Sequence, residues 1–170
     1  MKITKRVWIA ALILLFAQAD SFAQYASFNG KKPIIVDEDA IRHITVGGNV
    51  DVVIRENSRP GTIVKVEEKS TLKLKASVAG SDLYIDSDKS VSGNERVVVY
   101  VWTDDLQSLT LNDNSYAVSI GILGFDNLRV NIHDKARVAL RASDRIHFNG
   151  SQERKVISNE RYFSVMSTDK

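Results

Sequence analysis

The chain has 170 residues, enough for one ordinary domain, with 23 basic and 21 acidic side chains and no cysteine. The missing cysteines exclude a disulfide framework, thiol catalysis and a lipid-modified cysteine anchor. The slight basic excess resides in residues 1–23, where Lys2, Lys5 and Arg6 outweigh Asp20 and leave 20 charges of each sign in the remainder. A balanced remainder has no global field to draw in nucleic acid or an anionic membrane, so neither is an expected partner.

The N-terminal stretch has the layout of a secretory signal peptide. A basic start precedes the apolar run Val7 to Ala19, and small residues follow at cleavage spacing, with cleavage expected after Ala23 or, second, Ala19. The run is short of the roughly 20 apolar residues that span a bilayer, so no stable membrane insertion is expected after cleavage. The alternatives are an uncleaved anchor or a buried helix. Residues 24–33 are polar and marked by Asn29, Gly30 and Pro33, and read as a leader.

From Ile34 onward the pattern is alternation with period two, the signature of half-buried strands. Val50, Val52 and Ile54 share one face, while Asp51, Val53 and Arg55 share the other. In the next clear case Leu72, Leu74, Ala76 and Val78 oppose Lys73, Lys75 and Ser77. Gly80-Ser81-Asp82 then turns the chain and Leu83-Tyr84-Ile85-Asp86 returns, which predicts a hairpin. Val97, Val99 and Val101 form a third apolar face. Breakers recur at Gly47-Gly48, 57–61, Gly93-Asn94, Gly121, Gly124 and Gly150, and no apolar stripe of helical period and length appears.

The second half repeats itself. Residues 109–118 overlay 130–139 at a constant offset of 21, with Leu109 on Val130, Leu111 on Ile132, Asp113 on Asp134, Ser115 on Ala136 and Ala117 on Val138. A period near 20 is characteristic of stacked coils, in which each Asp and the small residue after it turn the corner between two strands. The expected fold is all-β, a single solenoid-like domain over residues 34–170. Its charged and apolar tail, 151–170, would serve as a cap against further strand addition. The hairpin fits an antiparallel β-sandwich equally well, and that is the alternative fold.

These residues resemble a known family. The segment Ile44-Thr45-Val46-Gly47-Gly48-Asn49-Val50-Asp51-Val52-Val53-Ile54, the Gly80 to Ile85 hairpin and the repeats at 109–118 and 130–139 are similar to the putative auto-transporter adhesin head GIN domain over roughly 34–150. The resemblance implies a right-handed parallel β-helix, an exported protein of Bacteroidetes-type bacteria, and no catalytic residues. This chain departs from the pattern in being short and in ending in the charged segment 151–161.

No nucleophile elbow, metalloprotease helix, phosphate-cradling loop or EF-hand pattern occurs. A Ser115–His133–Asp134 set can be written down, but its members fall at expected turns, where polar side chains face water; His43 and His147 suggest no constellation. No catalytic residue and no cofactor are therefore assigned. Asp113 and Asp134, one coil apart, are a candidate calcium pair with Asn112 and Asn114 beside them; the competing reading is that each carboxylate bonds its own turn. Val98, Tyr100 and Trp102 lie opposite the core face of their strand, so Tyr100 and Trp102 form a candidate binding patch unless another segment covers them.

The reading is an exported, non-catalytic binding or adhesion module of the periplasm or cell surface, taking a glycan or an envelope protein. A periplasmic structural or envelope-stress component is the alternative, and a carbohydrate-active enzyme the third. The oligomeric state is left open.

Overall fold

The computed structural model describes residues 24–28, 34–36, 41–67, 72–88, 95–143, 145–149, 154–159 and 162–167. The expected signal segment lies outside the described residues, as do the breaks at Gly93-Asn94 and Gly150. The described residues are all β, without a helix, and form two mixed sheets, neither of which closes into a barrel.

Three corners of similar geometry organise the centre of the molecule. Strand β3 (His43–Val46) leads through Gly47-Gly48 into β4 (Val50–Glu56), β9 (Ser108–Leu111) leads into β10 (Tyr116–Ser119), and β11 (Arg129–Ile132) leads into β12 (Arg137–Arg141). In each pair the first strand belongs to one sheet and the second to the other. The strands stack parallel and in register: Leu109 pairs with Val130 and Ala117 with Val138, at the expected offset of 21 residues. Backbone turning at the corners uses the left-handed region, with Gly48 at φ 65°, Asp113 at 55° and Asp134 at 51°.

A fourth layer precedes these in space but not in sequence. The hairpin β6 (Leu74–Ala79) and β7 (Asp82–Ser87) forms with the expected turn, Gly80 taking φ 58°. Its second strand pairs parallel with β3, and β8 (Val97–Thr103) pairs parallel with β4. Strand β3 therefore lies between β7 and β9, and the chain leaving β8 must cross the β3 layer to reach β9. Backbone N–H groups of Gln107 and Ser108 both donate to the Arg42 carbonyl at that crossing, at 2.9 Å.

Antiparallel strands complete the sheets. In the first sheet β1 (Gln24–Phe28) flanks β6, and β13 (His147–Asn149) ends the other side beside β11. In the second, β5 (Thr62–Val66) and β2 (Ile34–Val36) follow β8, while β15 (Tyr162–Ser167) and β14 (Arg154–Asn159) follow β12. Residues 24–28, within the stretch read as a leader, are thus part of a sheet. Two layered sheets fit the sandwich-like alternative, yet their central strands are parallel.

The inward faces meet in one apolar core. Ile44, Val46, Leu83, Ile85, Leu109, Leu111, Val130 and Ile132 come from the first sheet; Val50, Val52, Ile54, Val97, Val99, Val101, Ala117, Val138 and Leu140 come from the second. Each fully buried Val, Leu or Ile contributes about 1.5–3 kcal/mol. The apolar faces expected at 50–54, 72–78 and 97–101 are the ones turned inward.

Candidate functional site

The outward face of the first sheet carries a groove of about 370 Å³. Its shape follows from register. One row across the strands reads Ser77, Tyr84, Thr45, Thr110. The next row along begins with the pair Lys75 and Asp86 and continues to Gly47 and Asn112, whose N–H groups donate to the Ile85 and Val46 carbonyls. Gly47 has no side chain, so a depression opens between Asp86 and Asn112. A methyl placed on Gly47 would lie 3.1 Å from Asp86 Oδ1 and 3.3 Å from Asp113 Oδ2. The two carboxylates therefore face each other across this floor.

Tyr84 forms a wall of the groove and is 46% exposed. It stands free because its strand alternates, Leu83 and Ile85 inward and Tyr84 and Asp86 outward, and because its row neighbours Ser77 and Thr45 are short. Both carboxylates are held by backbone donors. Asp86 Oδ1 accepts from the Ser87 N–H at 2.8 Å, and Asp113 Oδ2 from the Gly48 N–H at 3.1 Å. Lys75, at the rim, keeps its ammonium 3.7 Å from Asp88 and is largely in solvent.

The candidate calcium pair is part of this corner column. Asp134 Oδ2 accepts from the Asp113 N–H at 3.2 Å, as Asp113 does from Gly48. Each carboxylate thus bonds the backbone of the neighbouring layer rather than its own turn, and the chain of bonds staples three corners together. Asn114 Nδ2 donates to Asn49 Oδ1 at 3.0 Å and Asn112 Nδ2 to the Val46 carbonyl at 3.5 Å, so both asparagines placed beside the pair are engaged between layers. Among the described residues no group of three or more His, Asp or Glu side chains is gathered as metal ligands would be.

Ser115 is fully buried with its Oγ lacking a hydrogen-bond partner, whereas His133 and Asp134 are exposed. The corner separates them because Ser115, like Val50 and Ala136 at the same position, points into the core. A Ser115–His133–Asp134 set is not assembled.

Tyr100 and Trp102 lie on the outward face of the second sheet, half-buried, their rings stacked at 5.9 Å and 22°. Neighbouring strands flank them: Val53 and Lys65 sit beside Tyr100, Arg55 and Ile63 beside Trp102. Ile63, Ile120 and Ile122 are the large exposed aliphatic side chains among the described residues.

Sequence reasoning singled out the hairpin but not Tyr84 as a site residue. The available clue was an aromatic on the polar face of an alternating strand. The groove itself draws on three strands and two corners, and no local pattern announces that convergence.

A family model described as putative auto-transporter adhesin, head GIN domain, matches residues 41–154. A search of curated proteins finds no match. Among solved structures, a putative lipid binding protein from Parabacteroides distasonis ATCC 8503 is similar in fold. Its TM-score is 0.53 at 14% identity, with 74% of this chain and 57% of that one covered. This chain thus spans little more than half of that neighbour's length. A putative cell adhesion protein from Clostridium sporogenes ATCC 15579 gives a TM-score of 0.37 at 13% identity, covering 78% and 85% of the two chains. A putative adhesin from Parabacteroides merdae ATCC 43184 gives 0.38 at 16%, covering 74% and 56%. At those two TM-scores the likeness carries no structural argument.

Proposed function

Because the chain belongs to the putative auto-transporter adhesin, head GIN domain family, we propose that it is an exported, non-catalytic binding module of the bacterial cell envelope. The parallel layers at 21-residue register support a short two-sided solenoid as its scaffold, closed at its ends by antiparallel strands. The observation that carries the binding reading is the groove at Gly47. It offers an exposed aromatic ring, two backbone-anchored carboxylates and an ammonium on a rigid sheet face. Small-molecule sites combine such convergent polar groups with an apolar surface. None of the three histidines lines it.

The test is association of the chain, as recovered from expressing cells, with isolated envelopes and with intact foreign cells. Saturable binding that weakens in Tyr84→Ala is expected; non-saturable adsorption by the unaltered protein would overturn the reading.

The second sheet favours a second reading, a periplasmic component that docks on an envelope protein. Half-buried Tyr100 and Trp102 beside exposed Ile63 form an aromatic and aliphatic patch of the kind enriched at protein interfaces. Protease treatment of intact and lysed cells separates the two. Digestion on intact cells supports the surface module, and protection until lysis supports the periplasmic one.

A further inference from the structure

We propose that the groove at Gly47 is a saccharide site, in which Tyr84 stacks on a sugar ring and Asp86 and Asp113 accept hydrogen bonds from its hydroxyls. The inference deepens the binding reading given above and rests on it.

The chemistry of the groove suits a neutral polyhydroxylated ligand. Asp86 and Asp113 each spend one oxygen on a backbone N–H, which fixes their orientation. Their second oxygens, Asp86 Oδ2 and Asp113 Oδ1, have no hydrogen-bond partner among the described residues. Rigid carboxylates with a spare acceptor suit hydroxyl donors, because charge-assisted hydrogen bonds are the strong ones and no ordering of the acceptor is required. Donors are present as well. Asn112 Nδ2 makes a long 3.5 Å contact to the Val46 carbonyl, and the Thr45 and Ser77 hydroxyls line the same groove. An anionic ligand would meet two carboxylates at the floor. Lys75 at the rim offsets one of those two charges and so lowers the preference for a cation. An alkyl chain would desolvate both carboxylates without returning a hydrogen bond. A sugar uses the acceptors and donors with its hydroxyls and the ring of Tyr84 with its C–H face.

Size and direction agree. A volume of about 370 Å³ is at the small end of ligand pockets, roughly 300–1,000 Å³, and suits a mono- or disaccharide unit. The row that holds Tyr84 and Thr45 continues beyond the groove as Thr110, Asn131 and Asn149. Their side chains are linked by hydrogen bonds of 3.2 Å, from Asn131 Nδ2 to Thr110 Oγ1, and 3.1 Å, from Asn149 Nδ2 to Asn131 Oδ1. An oligosaccharide lying across the strands would run from the aromatic platform onto this ladder of amides.

The experiment uses the chain recovered from expressing cells and a panel of neutral trisaccharides built on glucose, mannose, galactose and N-acetylglucosamine. Binding is followed by saturation-transfer NMR and by competition against envelope association. At least one trisaccharide should bind. Tyr84→Ala should weaken it by about tenfold or more, and Tyr84→Phe by no more than about threefold, since the ring face is what stacks. Gly47→Ala, which fills the floor, should also abolish it. Thermal melting of the Tyr84 variants checks folding, because replacing a half-exposed side chain should leave the melting temperature nearly unchanged. Sugar binding that Tyr84→Ala leaves intact overturns the proposal. So does envelope binding that no trisaccharide competes and that periodate oxidation of the envelope glycans does not reduce; the binding-module reading then stands alone. Absence of both envelope and sugar binding overturns both.

Discussion

Two adjacent glycines at the first corner do different work. Gly48 adopts φ 65°, and a methyl there would lie 2.5 Å from the Ser87 carbonyl oxygen and 2.8 Å from Ser87 Oγ. Gly47 needs no left-handed backbone, and its missing side chain shapes the groove instead. The equivalent of Gly48 in the next two layers is an aspartate, which tolerates the left-handed region better than most residues and returns a hydrogen bond to its neighbour. Gly48→Ala combines a left-handed penalty of about 1–2 kcal/mol with a backbone overlap, and should lower stability by about 2–4 kcal/mol in urea unfolding. Gly80→Ala, at φ 58° with open space around it, should lose only the conformational part, about 1–2 kcal/mol. Equal losses would mean that the Ser87 contact relaxes freely. The equivalence of Asp113 and Asp134 was legible in the 21-residue repeat. The partnership of Asp113 with Gly48 was not, because that bond joins residues 65 positions apart and hydropathy does not encode which layer sits above.

Strands carry the same lesson in their polar interiors. Where the chain crosses between layers, Ile41, Thr62 and Thr103 close a ring of hydrogen bonds inside the core. The Ile41 N–H donates to Thr62 Oγ1 at 3.1 Å, the Thr62 hydroxyl to Thr103 Oγ1 at 3.2 Å, and the Thr103 hydroxyl to the Ile41 carbonyl at 3.1 Å. Both threonines are essentially buried, at 1% and 0% exposure, so water cannot substitute. Thr103→Val is nearly isosteric yet leaves the Ile41 carbonyl and the Thr62 hydroxyl unsatisfied, and should cost about 1–3 kcal/mol. Adding Thr62→Val should not restore stability, since the Ile41 backbone still lacks partners; recovery of the denaturation midpoint in the double variant would refute the ring. Alternation told which side of β8 faces inward, through Val97, Val99 and Val101. It did not tell that Thr103 would be buried and matched by another threonine on β5, nor which strands would flank Tyr100 and Trp102, whose cover by another segment was one of the two readings.

At the scale of the molecule, the parallel layers create ends that must be dealt with. A strand edge presents unpaired N–H and C=O groups and invites further pairing. On the β7–β8 side both sheets end in antiparallel strands, β6 with β1 and β5 with β2. On the other side the second sheet continues through β15 and β14, whereas the first ends at β13. The hairpin of β14 and β15 therefore stands where another chain would otherwise add to β12, pairing Val138 with Val165 and Arg141 with Tyr162. Sequence reasoning expected this charged and apolar tail to cap the fold against further strand addition. It did not foresee that β3, first of the central strands in the chain, would sit between β7 and β9, since face patterns constrain what is buried and not which strand comes next. Ending the chain after Asn149 removes the hairpin and bares the edge of β12 while sparing the groove at Gly47. Light scattering should then show a larger mean mass than for the full chain, rising with concentration, with trisaccharide binding retained. An unchanged mass would show that β12 needs no cover, and that the hairpin serves something other than protecting the end of the sheet.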